Sequence, residues 1–162
     1  MLGRLFIHPK GDILDIVNDF WYKNCSGKNV LGVRIRGTDY NSVKPVLHNK
    51  QPNINSVMSD VERIIREKHI DKIFFTTESS DYMQKMLNKF GDMVCVNQSM
   101  FFQNDSQEMN CDFIKKTYSF PDIVQMNKEY LASVYILSKC QNVIMSKNNS
   151  QLLYNFIRSS DA

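Results

Sequence analysis

The stretch Val30-Leu31-Gly32-Val33-Arg34-Ile35-Arg36-Gly37-Thr38-Asp39-Tyr40 decides the fold. Its first half is short, apolar and β-branched, the composition of a strand buried on both faces. Strand side chains alternate with period two, so Arg34 and Arg36 project to one side. Gly37 then permits a turn, or a close approach of backbone to a ligand. A hydroxyl, a carboxylate and a phenol follow at Thr38, Asp39 and Tyr40. A strand that releases two guanidinium groups at a glycine suits anion capture, because the guanidinium fork matches phosphate oxygens in pairs.

The flanking sequence alternates helix and strand. Ile13, Ile16, Val17, Phe20 and Trp21 recur at helical spacing, which predicts a helix over about 11–24. Asn24 to Asn29 ends it, and a strand follows over 30–35. Residues 37–52 form a long polar connection with Pro45, His48 and Gln51; loops of that length in compact domains are functional or disordered. Ile54, Val57, Met58, Val61, Ile64 and Ile65 give the clearest helical face, and Asp71 to Thr77 reads as the next strand. Ser79, Ser80 and Asp81 cap a helix whose Met83, Met86, Leu87 and Phe90 form a core stripe. A third strand is expected at 93–96, a long helix from Pro121 to about Lys139, a fourth strand at 142–145 and a last helix from Ser150 to Ile157. Residues 97–120 carry no readable element.

Strands alternating with helices of ten or more residues predict an α/β fold of βαβ units, with a parallel sheet covered on both faces. Ligands of such sheets sit beyond the carboxyl ends of the strands. Three polar clusters fall at such ends: Arg34 to Tyr40, Thr76 to Ser80 and Ser146 to Ser150.

A chain of 162 residues, 43% hydrophobic and 11% aromatic, suits one globular domain over 1–162. With 20 basic and 17 acidic residues spread along the chain, the net charge of +3 gives no basic stripe for nucleic acid. No apolar run approaches the ~20 residues that span a bilayer. The apolar part of Met1 to Pro9 is too short for a secretion signal. Cys25, Cys95, Cys111 and Cys140 form no C-x-x-C pair, and His8, His48 and His69 add no ligand spacing, so no zinc site is expected. Scattered thiols of this kind read as reduced cysteines in a cytoplasmic protein. No paired aspartates offer a Mg²⁺ site.

The string Arg34 to Tyr40 resembles the H-x-R-R-x-D segment of GDP-fucose-using fucosyltransferases, the α-1,2, α-1,6 and protein O-fucosyltransferase group. Arg36 takes the place of the first motif arginine and Asp39 that of the motif aspartate. Lys72 to Ser79, with Tyr82 and Phe90-Gly91-Asp92, resembles that group's second strand, which ends in A-T-D or A-T-E. Leu131 to Ser146 resembles its third motif, a helix ending L-S-x-C/A-D before a strand and a serine-rich turn. The three blocks keep their order and spacing over about residues 30–155.

The resemblance implies a Rossmann-like three-layer α/β/α domain, similar to the carboxyl-terminal, nucleotide-sugar-binding half of a GT-B glycosyltransferase. It implies GDP-fucose or a related nucleotide sugar as donor, a glycan acceptor, and no cofactor or metal. A second chain or a separate acceptor-binding half would complete such an enzyme. Catalytic roles fall to Arg36, on the β-phosphate, and to Asp39. The donor site would draw on Arg34, Arg36, Thr77, Glu78, Ser133, Ser146, Asn148 and Asn149. Four departures stand out. Arg34 stands where the group often has histidine near the nucleoside, and Gly37 replaces the second arginine. Ser133 occupies the place of an aspartate that reads guanine or ribose in some members, and Asn148 and Asn149 fall near the group's paired small hydroxyl residues. Asp39, His48 and Glu78 are the general-base candidates.

Plain structural readings compete at each position. Arg36 and Asp39 fit a surface ion pair, and Arg34 a solvated strand-end charge. Thr76 to Ser80 fit a helix cap, and Ser146 and Ser150 a turn. On the functional side, an enzyme competes with a truncated, non-catalytic nucleotide-sugar-binding or interaction module.

Overall fold

A computed structural model describes residues 11–37, 52–99, 115–146 and 149–160. Helix α1 (Gly11–Asn24) leads into strand β1 (Val30–Arg34). Then come α2 (Ile54–Lys68), β2 (Lys72–Thr76) and α3 (Ser80–Phe90). A 3-10 turn over Gly91–Met93 precedes the two-residue strand β3 (Val94–Cys95). After it come α4 (Phe120–Lys139), β4 (Asn142–Met145) and α5 (Asn149–Ser160). The expected alternation is present. The two-residue β3 is shorter than the 93–96 reading because Gly91–Met93 is taken by the 3-10 turn.

The strands form one parallel sheet in the order β3-β2-β1-β4. Strand β1 is central, with Arg34 paired to Thr76 of β2 and to Met145 of β4. Helices α2 and α3 cover one face, where Leu31, Val33 and Ile35 meet Val57, Val61, Ile73, Phe75 and Met86. Helices α1 and α4 cover the other, where Val30 and Phe74 meet Val17, Ala132, Ile136 and Leu137. The fold is therefore a three-layer, Rossmann-like α/β/α arrangement. Every residue of β1 is buried, as two covered faces require.

Local sequence sets the helix boundaries. Asn53 Oδ1 accepts from the Asn55 amide at 2.8 Å and starts α2. Ser79 caps α3 by accepting from the Tyr82 amide. Ser119 and Asp122 form a reciprocal capping box at the start of α4, with Pro121 in its first turn. The helix starts one residue before the Pro121-Asp122 opening read from the sequence, because that box recruits Ser119 as its cap.

Two glycines set how closely the layers approach. A Cβ on Gly32 would lie 2.8 Å from Leu137 Cδ2 and 3.1 Å from Cys140 Sγ, so α4 presses directly on β1. A Cβ on Gly37 would lie 2.6 Å from the Tyr82 ring and 2.8 Å from Ser79 Cβ. Gly37 thus admits a close approach, but to the first turn of α3. A Gly37→Ala substitution is expected to cost about 1–3 kcal/mol, read as a lower denaturant midpoint. Gly32→Ala should cost less, because its nearest contact is a rotatable leucine methyl.

Cys25, Cys95 and Cys140 are free and buried in the α1/α4 layer. Cys95 donates to Ile73 O at 3.5 Å. The neighbouring Cys25, together with burial, pushes proton release from Cys95 well above the ordinary thiol range, while Cys95 holds that of Cys25 below it. Burial pushes the Cys140 thiol up. Above pH ~8.5 the unfolded chain would ionise these raised thiols first, so their burial stabilises the fold below that pH and less as pH rises. Native protein at pH 8 is expected to resist alkylation at Cys95 and Cys140, and urea-unfolded protein to react at both. Mass spectrometry of the alkylated peptides reads the difference. Cys111 lies outside the described residues.

Candidate functional site

Sheet order creates the site. Chain growth runs outward from β1 through β2 to β3, with α2 and α3 on one face. It then crosses by α4, on the opposite face, to β4 on the other side of β1. The β1 and β4 carboxyl ends are therefore neighbours whose outgoing chains diverge, the switch point where open α/β sheets bind ligands. Arg34, Ile35, Arg36 and Gly37 leave β1 at that point.

Arg34 projects into the α1/α4 layer, on the same side of the sheet as Val30 and Thr76. The side chain is only 5% exposed. Its Nε donates to Ser150 Oγ at 2.8 Å and its Nη1 to Thr76 Oγ1 at 3.0 Å. Its Nη2 stands 3.6 Å from Glu78 Oε1, an ion pair longer than a hydrogen bond. The guanidinium carbon lies 4.8 Å from the centre of the Tyr130 ring. One arginine thus ties together the exits of β1 and β2, α4 and the start of α5. The solvated strand-end reading of Arg34 is replaced by a buried, multiply bonded cation.

Arg36 lies two residues beyond the end of β1 and is half-buried. The preceding Ile35 amide donates to Thr76 O, which carries the β1–β2 ladder up to its base. Ser146, just past β4, is buried, and its amide donates to Arg34 O at 3.2 Å. Ser146 therefore stands beside the β1 exit, at the crevice.

Thr77 is fully buried. Its Oγ1 accepts from the Ser79 amide and its own amide donates to Gln98 Oε1, so it shapes the turn into α3. Glu78 is one-quarter exposed, and its Oε2 is a buried atom with no hydrogen bond. Ser133, in the middle of α4, is fully buried, and its hydroxyl, with one proton to donate, lies 2.8 Å from both Asn97 Oδ1 and Glu129 O. Its hydroxyl belongs to the packing beneath the β3 exit. Asn149 opens α5, while Asp39, His48 and Asn148 lie outside the described residues.

Three residues escape a reading of the sequence. Glu129 is buried in α4, and its carboxylate accepts from the Ser99 amide, Ser99 Oγ and Gln125 Nε2. It pins the chain leaving β3 to α4. Asn97 donates to Glu129 O at 3.1 Å and joins the same network. Tyr130 backs the Arg34 guanidinium. Gln125, Glu129 and Ser133 recur every four residues as a polar row beside the apolar Ala132, Ile136 and Leu137, and that row is the signal that could have found it.

An open groove lies on the opposite, amino-terminal edge of the sheet, lined by Trp21, Lys28, Asn29, Lys68, Gln141 and Asn142. Its amides serve the fold: Gln141 Oε1 accepts from the Val30 amide, and Asn29 Nδ2 donates to Lys68 O. The carboxyl rim is the stronger candidate, because there a buried arginine at the end of β1 stands beside Glu78 at the β2 exit, whose Oε2 has no donor.

The chain matches no protein-family model and no curated protein. Among the described residues, no helix is long and apolar enough to cross a membrane.

Proposed function

We propose that this chain binds the diphosphate of a nucleotide sugar, GDP-fucose or a related donor, at the β1/β4 crevice, and acts as a fucosyltransferase-like glycosyltransferase or its donor-binding domain. The observation that carries the reading is the placement of Arg34-Ile35-Arg36-Gly37 at a Rossmann-like switch point. The ordered similarity of three segments to the fucosyltransferase group supports the choice of donor.

In the reaction, an acceptor hydroxyl gives up its proton to a general base as it attacks the anomeric carbon, the bond to the diphosphate breaks with its electron pair leaving on the β-phosphate oxygen, and configuration inverts. Negative charge grows on the β-phosphate oxygens as the nucleoside diphosphate leaves. Arg36 meets that charge, and a cation already in place stabilises the transition state more than the ground state. Arg34 braces the floor of the site, because its Nε and Nη1 are taken up by Ser150 and Thr76, while Nη2 stands 3.6 Å from Glu78 Oε1.

A second reading is a nucleotide-sugar-binding module without catalysis. The internal bonds of Ser133 favour it, since that position of the implied donor site is occupied by the fold itself. Incubation with GDP-fucose and a panel of glycans separates the two readings. Acceptor-dependent GDP release establishes the enzyme; saturable binding without release establishes the module. The absence of any thermal shift with nucleotide sugars would refute both. Saturating a real site a hundredfold above its dissociation constant adds about 2.7 kcal/mol of stability.

A further inference from the structure

We propose that Glu78, together with Arg34, reads a sugar hydroxyl of the bound ligand, with the ribose diol of the nucleotide as the first candidate. The inference rests on the nucleotide-sugar reading of the same rim and adds the part of the ligand that the β2 exit recognises.

The geometry begins with an incomplete ion pair. Arg34 Nη2 and Glu78 Oε1 are 3.6 Å apart, beyond hydrogen-bond reach, although the Arg34 side chain is 95% buried. Glu78 Oε2 is itself buried and accepts no hydrogen bond. A buried carboxylate oxygen without a donor is costly, and such atoms call for an explanation by ligand or water. The other Arg34 contacts, to Thr76 and Ser150, fix the guanidinium in place. Nη2 and the carboxylate therefore present a fixed donor beside an acceptor with no partner.

A hydroxyl matches that pair, because it accepts and donates through one small atom. It would accept from Arg34 Nη2 and donate to Glu78 Oε2. A phosphate or a second carboxylate would not fit, since its negative charge would be brought against the Glu78 carboxylate oxygen. A cation would satisfy Oε2 but would be repelled by the guanidinium beside it.

Position within the fold agrees. Glu78 lies two residues beyond the end of β2, next to β1 in the sheet. Adjacent strands are about 4.8 Å apart, so a diphosphate at the β1 exit would carry its ribose toward the β2 exit. In dinucleotide-binding sheets an acidic residue placed further along the chain from the phosphate turn holds the ribose hydroxyls. The hydroxyls of the transferred monosaccharide share the same chemistry, and the choice of ligands below distinguishes the two sources.

Calorimetric titration tests the assignment. GDP, 2′-deoxy-GDP, 3′-deoxy-GDP and GDP-fucose are titrated into the unaltered chain and into Glu78→Gln. The glutamine keeps the size of the side chain but puts a donor where the acceptor stood. GDP is expected to bind the variant about 10- to 100-fold more weakly. One of the deoxy ligands should bind the unaltered chain weaker by a similar factor and show no further loss in the variant. A loss confined to GDP-fucose would assign the hydroxyl to the monosaccharide. Equal affinity of GDP and both deoxy ligands for the unaltered chain, with GDP-fucose unaffected by Glu78→Gln, would overturn the inference while the nucleotide reading stands. Failure of the unaltered chain to bind any of the four would overturn both. The deoxy comparison requires no substitution, so it decides the ribose assignment even if the variant folds poorly.

Discussion

Arg34→Met is expected to lose about 3 kcal/mol of stability. Breaking a buried ion pair by removing one partner costs about 3–5 kcal/mol, and the lower end applies because Glu78 is 26% exposed. The loss has several parts. Thr76 Oγ1 and Ser150 Oγ each lose a charged donor, and the Glu78 carboxylate loses its neighbouring cation. Methionine fills much of the space and cannot donate. For a chain of this size the loss corresponds to a fall in melting temperature of about 6–12 °C. Arg34→Lys should recover only part of it, since an ammonium cannot reach three elements with a planar fork. A melting temperature unchanged within 2 °C in Arg34→Met would show that the rim does not depend on this residue.

Arg36→Ala is expected to act on binding, not on folding. Arg36 lies beyond the end of β1 and is half-buried, whereas the core clusters are built without it. If it holds the β-phosphate, its removal forfeits a charge-assisted hydrogen bond of about 1.5–3 kcal/mol. GDP affinity then drops about 10- to 100-fold, while the circular dichroism spectrum is retained. Arg36→Lys should fall between, because a point charge remains but paired contact is lost. Equal GDP affinity in the unaltered chain and in Arg36→Ala would remove Arg36 from the phosphate site.

The fold was largely legible in the sequence because parallel sheets leave a strong mark. Val30 to Val33 and Ile73 to Phe75 are continuous apolar runs, as strands buried on both faces must be. Val57, Val61 and Met86 recur at helical spacing because only one stripe of each helix meets the sheet. The start of α4 was legible to within one residue from Pro121-Asp122, while the Ser119–Asp122 pairing that fixes it was not, since it acts through hydrogen bonds three residues apart within a polar segment. β3 was overread because Met93 is apolar yet belongs to a 3-10 turn.

The site was legible at the level of its rim and less so in the role of each residue. Arg34 and Thr76 were visible as polar residues at strand ends, but their partnership depends on register: Arg34 pairs with Thr76 across β1 and β2. The Arg34–Ser150 bond joins residues 116 apart, a contact that no local pattern encodes. Ser133 and Glu129 lie one helical turn apart, and only the packing of α4 against the β3 exit shows that they hold Asn97 and Ser99. Gly37 illustrates the same limit. Its requirement for a missing side chain is set by Tyr82, 45 positions away, and not by the local turn.

Amide chemical-shift mapping during a GDP titration tests the central claim most directly. The account predicts saturable shifts at Ile35 to Gly37, Thr77 to Ser79 and Ser146, around the β1/β4 crevice. Shifts confined to Lys28, Asn29 and Gln141 at the opposite edge of the sheet, or no shifts at millimolar GDP, would contradict it.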